Sequence, residues 1–180
     1  MTANMSLPSA PRVPRVLVGI NGSPGSRTAL RVAVAEAFLR EVELWAVTAW
    51  TVPDGLAASR RAAPDPLMAR QCQNMADETL MGVLDGALGN THPGVPLRSV
   101  LVRGAPGHSL VDLADHEGDL LVVGSGSRSA LRRLFPGPVA RYCLSHASCP
   151  VLAVPPSPLE AELKSLRRRN ALRFRRRVVP

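Results

Sequence analysis

Five short apolar runs recur along the chain, and stretches with helical spacing separate them. The runs are Arg15–Ile20, Val42–Trp50, Pro96–Val102, Asp119–Val123 and Pro150–Val154. Most are apolar throughout instead of alternating, which is the pattern of strands covered on both faces. Pro96–Val102 carries Arg98 and Ser99 and reads as an edge strand. Strands of this kind joined by amphipathic helices predict one α/β domain with a parallel, doubly wound sheet and helices on both faces. Ligands in such sheets sit at the carboxyl ends of the strands, where the strand order reverses.

The connecting segments carry their own signals. Asn21-Gly22-Ser23-Pro24-Gly25 is a turn in which Ser23 can cap a helix opened by Pro24. Leu30, Ala33, Val34, Ala37 and Phe38 then form one apolar stripe. Thr51–Pro66 is rich in Pro, Ala and Arg without a period, and reads as a mobile loop. A long helix is predicted over Leu67–Leu88, with Met68, Cys72, Met75, Ala76, Thr79, Leu80, Val83, Leu84, Ala87 and Leu88 as its apolar side. Gly89 and Asn90 suit its C-terminal cap. Shorter helices are predicted over His108–Glu117, after a turn at Gly104–Gly107, and over Gly137–His146.

The charge is unevenly placed. The 180 residues carry a net +8, while residues 157–180 hold eight Lys/Arg and two Glu, a net +6, which leaves +2 for residues 1–156. The expected organisation is a flexible leader over 1–14, a globular domain over 15–156, and a basic tail over 157–180 that is partly helical or disordered. Ser157-Pro158-Leu159-Glu160 opens that tail with a capping box. The tail is a candidate contact for nucleic acid or an acidic partner, driven by phosphate charge alone because Phe174 is its single aromatic. Aromatics make up 3% of the chain, against an RNA-binding sheet.

Catalytic and metal constellations are weak. Cys72, Cys143 and Cys149 lack metal-type spacing, and His92, His108, His116 and His146 are dispersed. An odd cysteine count and no export signal point to a reducing cytoplasm. No run reaches the roughly 20 residues of a membrane span. Ser109, Asp112 and His116 lie along one short helix instead of converging as a triad must. No Walker-type phosphate loop occurs.

Asp119–Val154 reads strand, Gly/Ser/Arg loop, helix, strand, a layout that aims backbone N–H groups at an anion. Together with RVLVGINGSPGSRTAL, VRGAPGHSLVDLADHEGDLLVVGS and LSHASCPVLAV, it resembles the universal stress protein family over about residues 13–155. The resemblance implies a five-stranded parallel sheet of order 3-2-1-4-5, and a homodimer paired through the last strand. It also implies a non-catalytic stress-response regulator. One branch of that family binds ATP through G-x2-G-x9-G-[S/T] after the fourth strand. Here Gly124 and Gly137 match the outer glycines, while Ser127 stands at the middle one, Pro138 at the hydroxyl position, and Asn21 where an Asp is common. The implied ligand cleft comprises Asn21, Ala49, Gly124, Ser125, Ser127, Gly137 and Val139, with ATP as ligand of a degenerate motif. Pro138 removes an N–H and a hydroxyl together, and Ser127 disfavours positive φ. The alternative is a ligand-free dimeric interaction protein whose basic tail does the binding.

Overall fold

A computed structural model describes residues 13–52, 66–89, 93–126 and 137–157. The elements are β1 (Val16–Gly19), α1 (Pro24–Arg40), β2 (Leu44–Trp50), α2 (Pro66–Leu88), β3 (Leu97–Arg103), α3 (Pro106–Leu113), β4 (Leu120–Gly124), α4 (Pro138–His146) and β5 (Val151–Val154). The five strands form one parallel sheet in the order β3-β2-β1-β4-β5. β1 therefore lies at the centre, and the chain steps outward from it in both directions. The expected edge position of β3 is met, and β5 is the other edge.

Strand alternation divides the core. Val16, Val18, Leu44, Ala46, Leu120 and Val122 face α1 and α2, where they meet Leu30, Ala33, Leu80 and Val83. Leu17, Val47, Leu121 and Val123 face the other way, against Leu110 of α3 and Ala140 and Cys143 of α4. Small residues on the helices let them sit close to the aliphatic sheet, which explains how a core with so few aromatics fills.

The helix ends follow local chemistry. Ser23 caps α1 by accepting a hydrogen bond from the Ser26 N–H (3.1 Å), and Pro24 occupies the first turn, as its sequence predicts. Glu41 ends the helix in the left-handed region at φ 55°, donating its N–H to Ala37 and Phe38 carbonyls. Gly89, at φ +58°, ends α2 with its N–H on the Asp85 carbonyl (2.8 Å); Asn90 lies outside the described residues. α3 starts at Pro106 instead of His108, because proline is preorganised for a first helical turn. It ends at Leu113, so the expected helix through Glu117 is shorter and the expected turn at Gly104–Gly107 gives up its last two residues to α3.

Two apolar stripes differ from expectation. Phe38 is 62% exposed, because the buried face of α1 is Ala29, Leu30, Ala33 and Ala37. On α2 only Ala76, Leu80, Val83 and Leu84 are buried, while Met75 is 66% and Met68 44% exposed. Residues 66–75 of α2 contain no buried position, so its first half lacks the sheet contact that the second half makes.

The amino ends of the strands are held by a polar clamp. Asp119, fully buried, accepts from the Arg15 N–H (2.9 Å), Nε (3.3 Å) and Nη2 (2.6 Å). Arg15 Nη2 also donates to the Leu113 carbonyl (3.1 Å) and to Asp115 (3.0 Å). The hydrogen bond to Asp119 holds the Arg15 guanidinium pKa above its ordinary value. Its guanidinium lies 4.4 Å from the Trp45 ring centroid, and that of Arg98 lies 4.8 Å from the same ring. Between α3 and α4, Tyr142 stacks on both His108 (4.3 Å) and His146 (4.1 Å). Gly107 makes room for it, since a Cβ there would come within 2.8 Å of Tyr142 Cδ1.

Candidate functional site

The carboxyl ends of β1 and β4 lie side by side, and the chain leaves them in opposite directions: α1 to one face, α4 to the other. This is the reversal point of the sheet order. Asn21 follows β1, and its side-chain oxygen accepts the Ser23 N–H (3.1 Å), which folds the turn back over the strand end. Gly22 takes φ +72° at the tip, where a side chain would also press on Thr79 of α2. The Arg27 guanidinium reaches back to the Gly22 carbonyl (3.4 Å).

Gly124 closes this arrangement from the β4 side. A Cβ on it would come within 2.8 Å of the Gly25 carbonyl carbon, 3.0 Å of its oxygen and 3.1 Å of the Ser26 nitrogen. Only glycine lets the end of β4 lie against the first turn of α1. Ser125 then donates its N–H to the Val154 carbonyl (2.8 Å), and its own carbonyl accepts the Gly137 N–H (2.7 Å). Gly126 adopts φ +85°, so a residue free to take positive φ is present one position before Ser127. Ser127 itself lies outside the described residues.

Gly137 is the N-cap of α4 and has no side chain to cap it. Pro138 has no N–H, so Val139 and Ala140 carry the first two amide donors of the helix, and in an α-helix such early donors have no partner within the helix. No acidic residue stands in the first turn of α1, α3 or α4. Their own first turns thus supply no counter-charge to the positive helix ends.

The structure brings Asn21, Gly124, Ser125, Gly137 and Val139 to one end of the sheet. Ala49 stands one strand further out, next to last in β2 and paired with Val102 of β3. His108 of α3 stacks on Tyr142 of α4 and serves the α3–α4 contact, while His146 stacks on the same ring within α4, its Nδ1 2.9 Å from the Tyr142 carbonyl. A depression of about 500 Å³ runs along the outer side of α4, lined by Pro138, Arg141, Tyr142, Leu144, Ser145 and His146, and shares only Pro138 with the α4 start at the strand ends. The contact of Gly124 with the Gly25 backbone escaped the sequence reading. At the start of α4, neither Gly137 nor Pro138 can cap with a side-chain oxygen.

Among the described residues no group of three or more His, Cys, Asp or Glu comes together to hold a metal ion. Cys143 is buried, and burial pushes its thiol up to about 11; Cys149 is raised for the same reason. Both are packing residues. No helix among the described residues is long and apolar enough to cross a membrane.

The sequence model of the universal stress protein family matches residues 13–155. Universal stress protein Rv2623 of Mycobacterium tuberculosis is 33% identical over 142 residues, covering 79% of this chain and 45% of its own length. A second protein of that organism, universal stress protein Rv2005c, is 34% identical over 137 residues, covering 76% of this chain and 44% of its own. The chain thus spans less than half the length of the curated relatives it matches. Among solved structures, universal stress protein UspA from Lactobacillus plantarum shares the fold, with a TM-score of 0.56 at 22% identity over 81% of this chain and 99% of that one. A universal stress protein crystallised in complex with cAMP has a TM-score of 0.50 at 25% identity, over 80% of this chain and 98% of its own. The chain belongs to the universal stress protein family.

Proposed function

We propose that this chain is a non-catalytic stress-response regulator whose cleft between β1 and β4 takes an adenine nucleotide. The observation that carries the reading is the α4 start. Its Val139 and Ala140 amides are the first donors of the helix, which Gly137 gives no side-chain cap, within one turn of the Gly137–Ser125 hydrogen bond. A phosphate there meets backbone donors and the positive end of the helix dipole. Asn21 contributes a neutral amide: its oxygen is used in its own turn, and its NH2 can donate to a ribose or phosphate oxygen. The solved relative that holds cAMP supports this class of ligand.

Affinity is lower than for an intact motif. Pro138 withdraws an N–H and a hydroxyl, contacts worth roughly 1.5–3 kcal/mol each when charge-assisted, and Ser127 strains the loop by about 1–2 kcal/mol where positive φ is needed. Occupancy acts by biasing a partner surface, with a homodimer formed through the exposed edge of β5 as the acting unit. Calorimetry with ATP, AMP and cAMP tests the reading on wild type and on Pro138→Ser combined with Ser127→Gly. The expected result is one weak site per chain in wild type and binding at least about tenfold tighter in the double variant, as one recovered charge-assisted contact implies. Binding by the double variant alone would mark a decayed site, and binding by neither would leave the ligand-free interaction protein as the reading.

A further inference from the structure

The exposed first half of α2 carries three sulfur atoms in register. Met68, Cys72 and Met75 follow one another at four and three residues. On a helix they fall within an arc of about 60°, with neighbouring Cβ atoms about 5–6 Å apart. All three are accessible: Met68 and Met75 are exposed and Cys72 is half-buried. Their exposure also departs from what apolar side chains in a core stripe would do. The buried stripe of α2 begins only at Ala76, so these thioethers do no work in the core.

We propose that Met68, Cys72 and Met75 form a binding site for a soft monovalent metal ion, Cu(I). Two thioethers and one thiolate match the preference of that ion for soft sulfur donors. The long, unbranched Met side chains can swing toward the shorter Cys72 from the turns before and after it. Side chains on a helix lean toward its amino end, which aims Met75 at Cys72 and Cys72 at Met68. On binding, the Cys72 thiol gives its proton to solvent, and the thiolate neutralises the ion with no change of oxidation state. The immediate neighbours Gln71, Gln73 and Asn74 add no charge, and Arg70 is the nearest cation in sequence. Cys143 and Cys149 are buried on the other side of the sheet and do not compete in the folded chain.

The test is an anaerobic titration of the full chain with Cu(I) under competition from bicinchoninate. One Cu(I) per chain is expected, with affinity weakened about tenfold or more in Met68→Leu combined with Met75→Leu, and also in Cys72→Ser. Leucine keeps the volume at these exposed positions, and circular dichroism checks the fold of each variant. A second readout uses Ag(I) as probe and the methionine methyl resonances. Met68 and Met75 are expected to shift while Met81, which has no sulfur three or four residues away on α2, stays in place. Equal Cu(I) affinity in wild type and the double Met variant would overturn the site, because it would reduce it to a thiol alone. Failure of wild type to compete, or Ag(I) shifts that include Met81 equally, would overturn it as well.

Discussion

Gly124→Ala tests the geometry on which the cleft depends. The added methyl would lie 2.8–3.1 Å from three backbone atoms of Gly25 and Ser26. Ordinary contacts begin about half an ångström further out, and a backbone cannot rotate out of the way as a side chain can. The first turn of α1 must therefore retreat from β4, against the Ser23 cap and the Leu30 and Ala29 packing that hold it. Overpacking of this kind costs about 1–3 kcal/mol. For a chain of this size that lowers the melting temperature by roughly 2–4 °C per kcal/mol. Gly25→Ala is the matched control from the other side of the same contact. Its Cβ would find nothing nearer than 3.8 Å, and it lies inside a helix, where alanine is the better former. It is expected to be neutral or to stabilise by about 0.5 kcal/mol. Urea unfolding of the three proteins decides the matter. Gly124→Ala as stable as wild type would refute the argument, since it would mean that the α1–β4 contact yields freely.

Four further outcomes follow from the packing. Asp119→Ala leaves the half-buried Arg15 guanidinium with Asp115 and the Leu113 carbonyl, and is expected to destabilise by about 3 kcal/mol in denaturant unfolding, the low end for a broken pair with one buried partner. Glu41→Gly relieves a side chain from the left-handed region and is expected to stabilise by about 0.5–1 kcal/mol, read as a higher urea midpoint. A thiol reagent applied to the native chain should label Cys72 and spare Cys143 and Cys149 until denaturant is added. The Cys143 thiol titrates near 11 when folded against an ordinary 9.0, so the folded state holds the proton more tightly. Its contribution to stability is complete below pH 9 and is lost as pH rises toward 11, which an alkaline unfolding series in wild type and Cys143→Ala would show.

The sheet was legible because its strands are continuous aliphatic runs, and the first helix start was legible because Ser23-Pro24 states it locally. Strand ends moved by one or two residues, since hydrogen bonding to neighbours, not apolarity, sets them. Phe38, Met68 and Met75 were misjudged for a different reason. A stripe of apolar residues on a helix says what it could bury, while what it does bury depends on how far the sheet extends beneath it. The Arg15–Asp119 clamp joins residues 104 positions apart, and no local pattern encodes it. An aspartate opening an otherwise aliphatic strand was its only trace. In the cleft, the outer glycines were marked by the family resemblance, but the reason Gly124 must be glycine is a tertiary contact. Ser127 lies outside the described residues, so its effect rests on the binding experiments.

The most direct test of the nucleotide cleft is a backbone amide spectrum of the chain titrated with ATP. The largest shifts are expected on Val139 and Ala140, followed by Asn21, Ser125 and Gly126, with the Arg15–Asp119 end of the sheet unmoved. Saturation without movement of the Val139 and Ala140 amides, or no shifts at all, would contradict it.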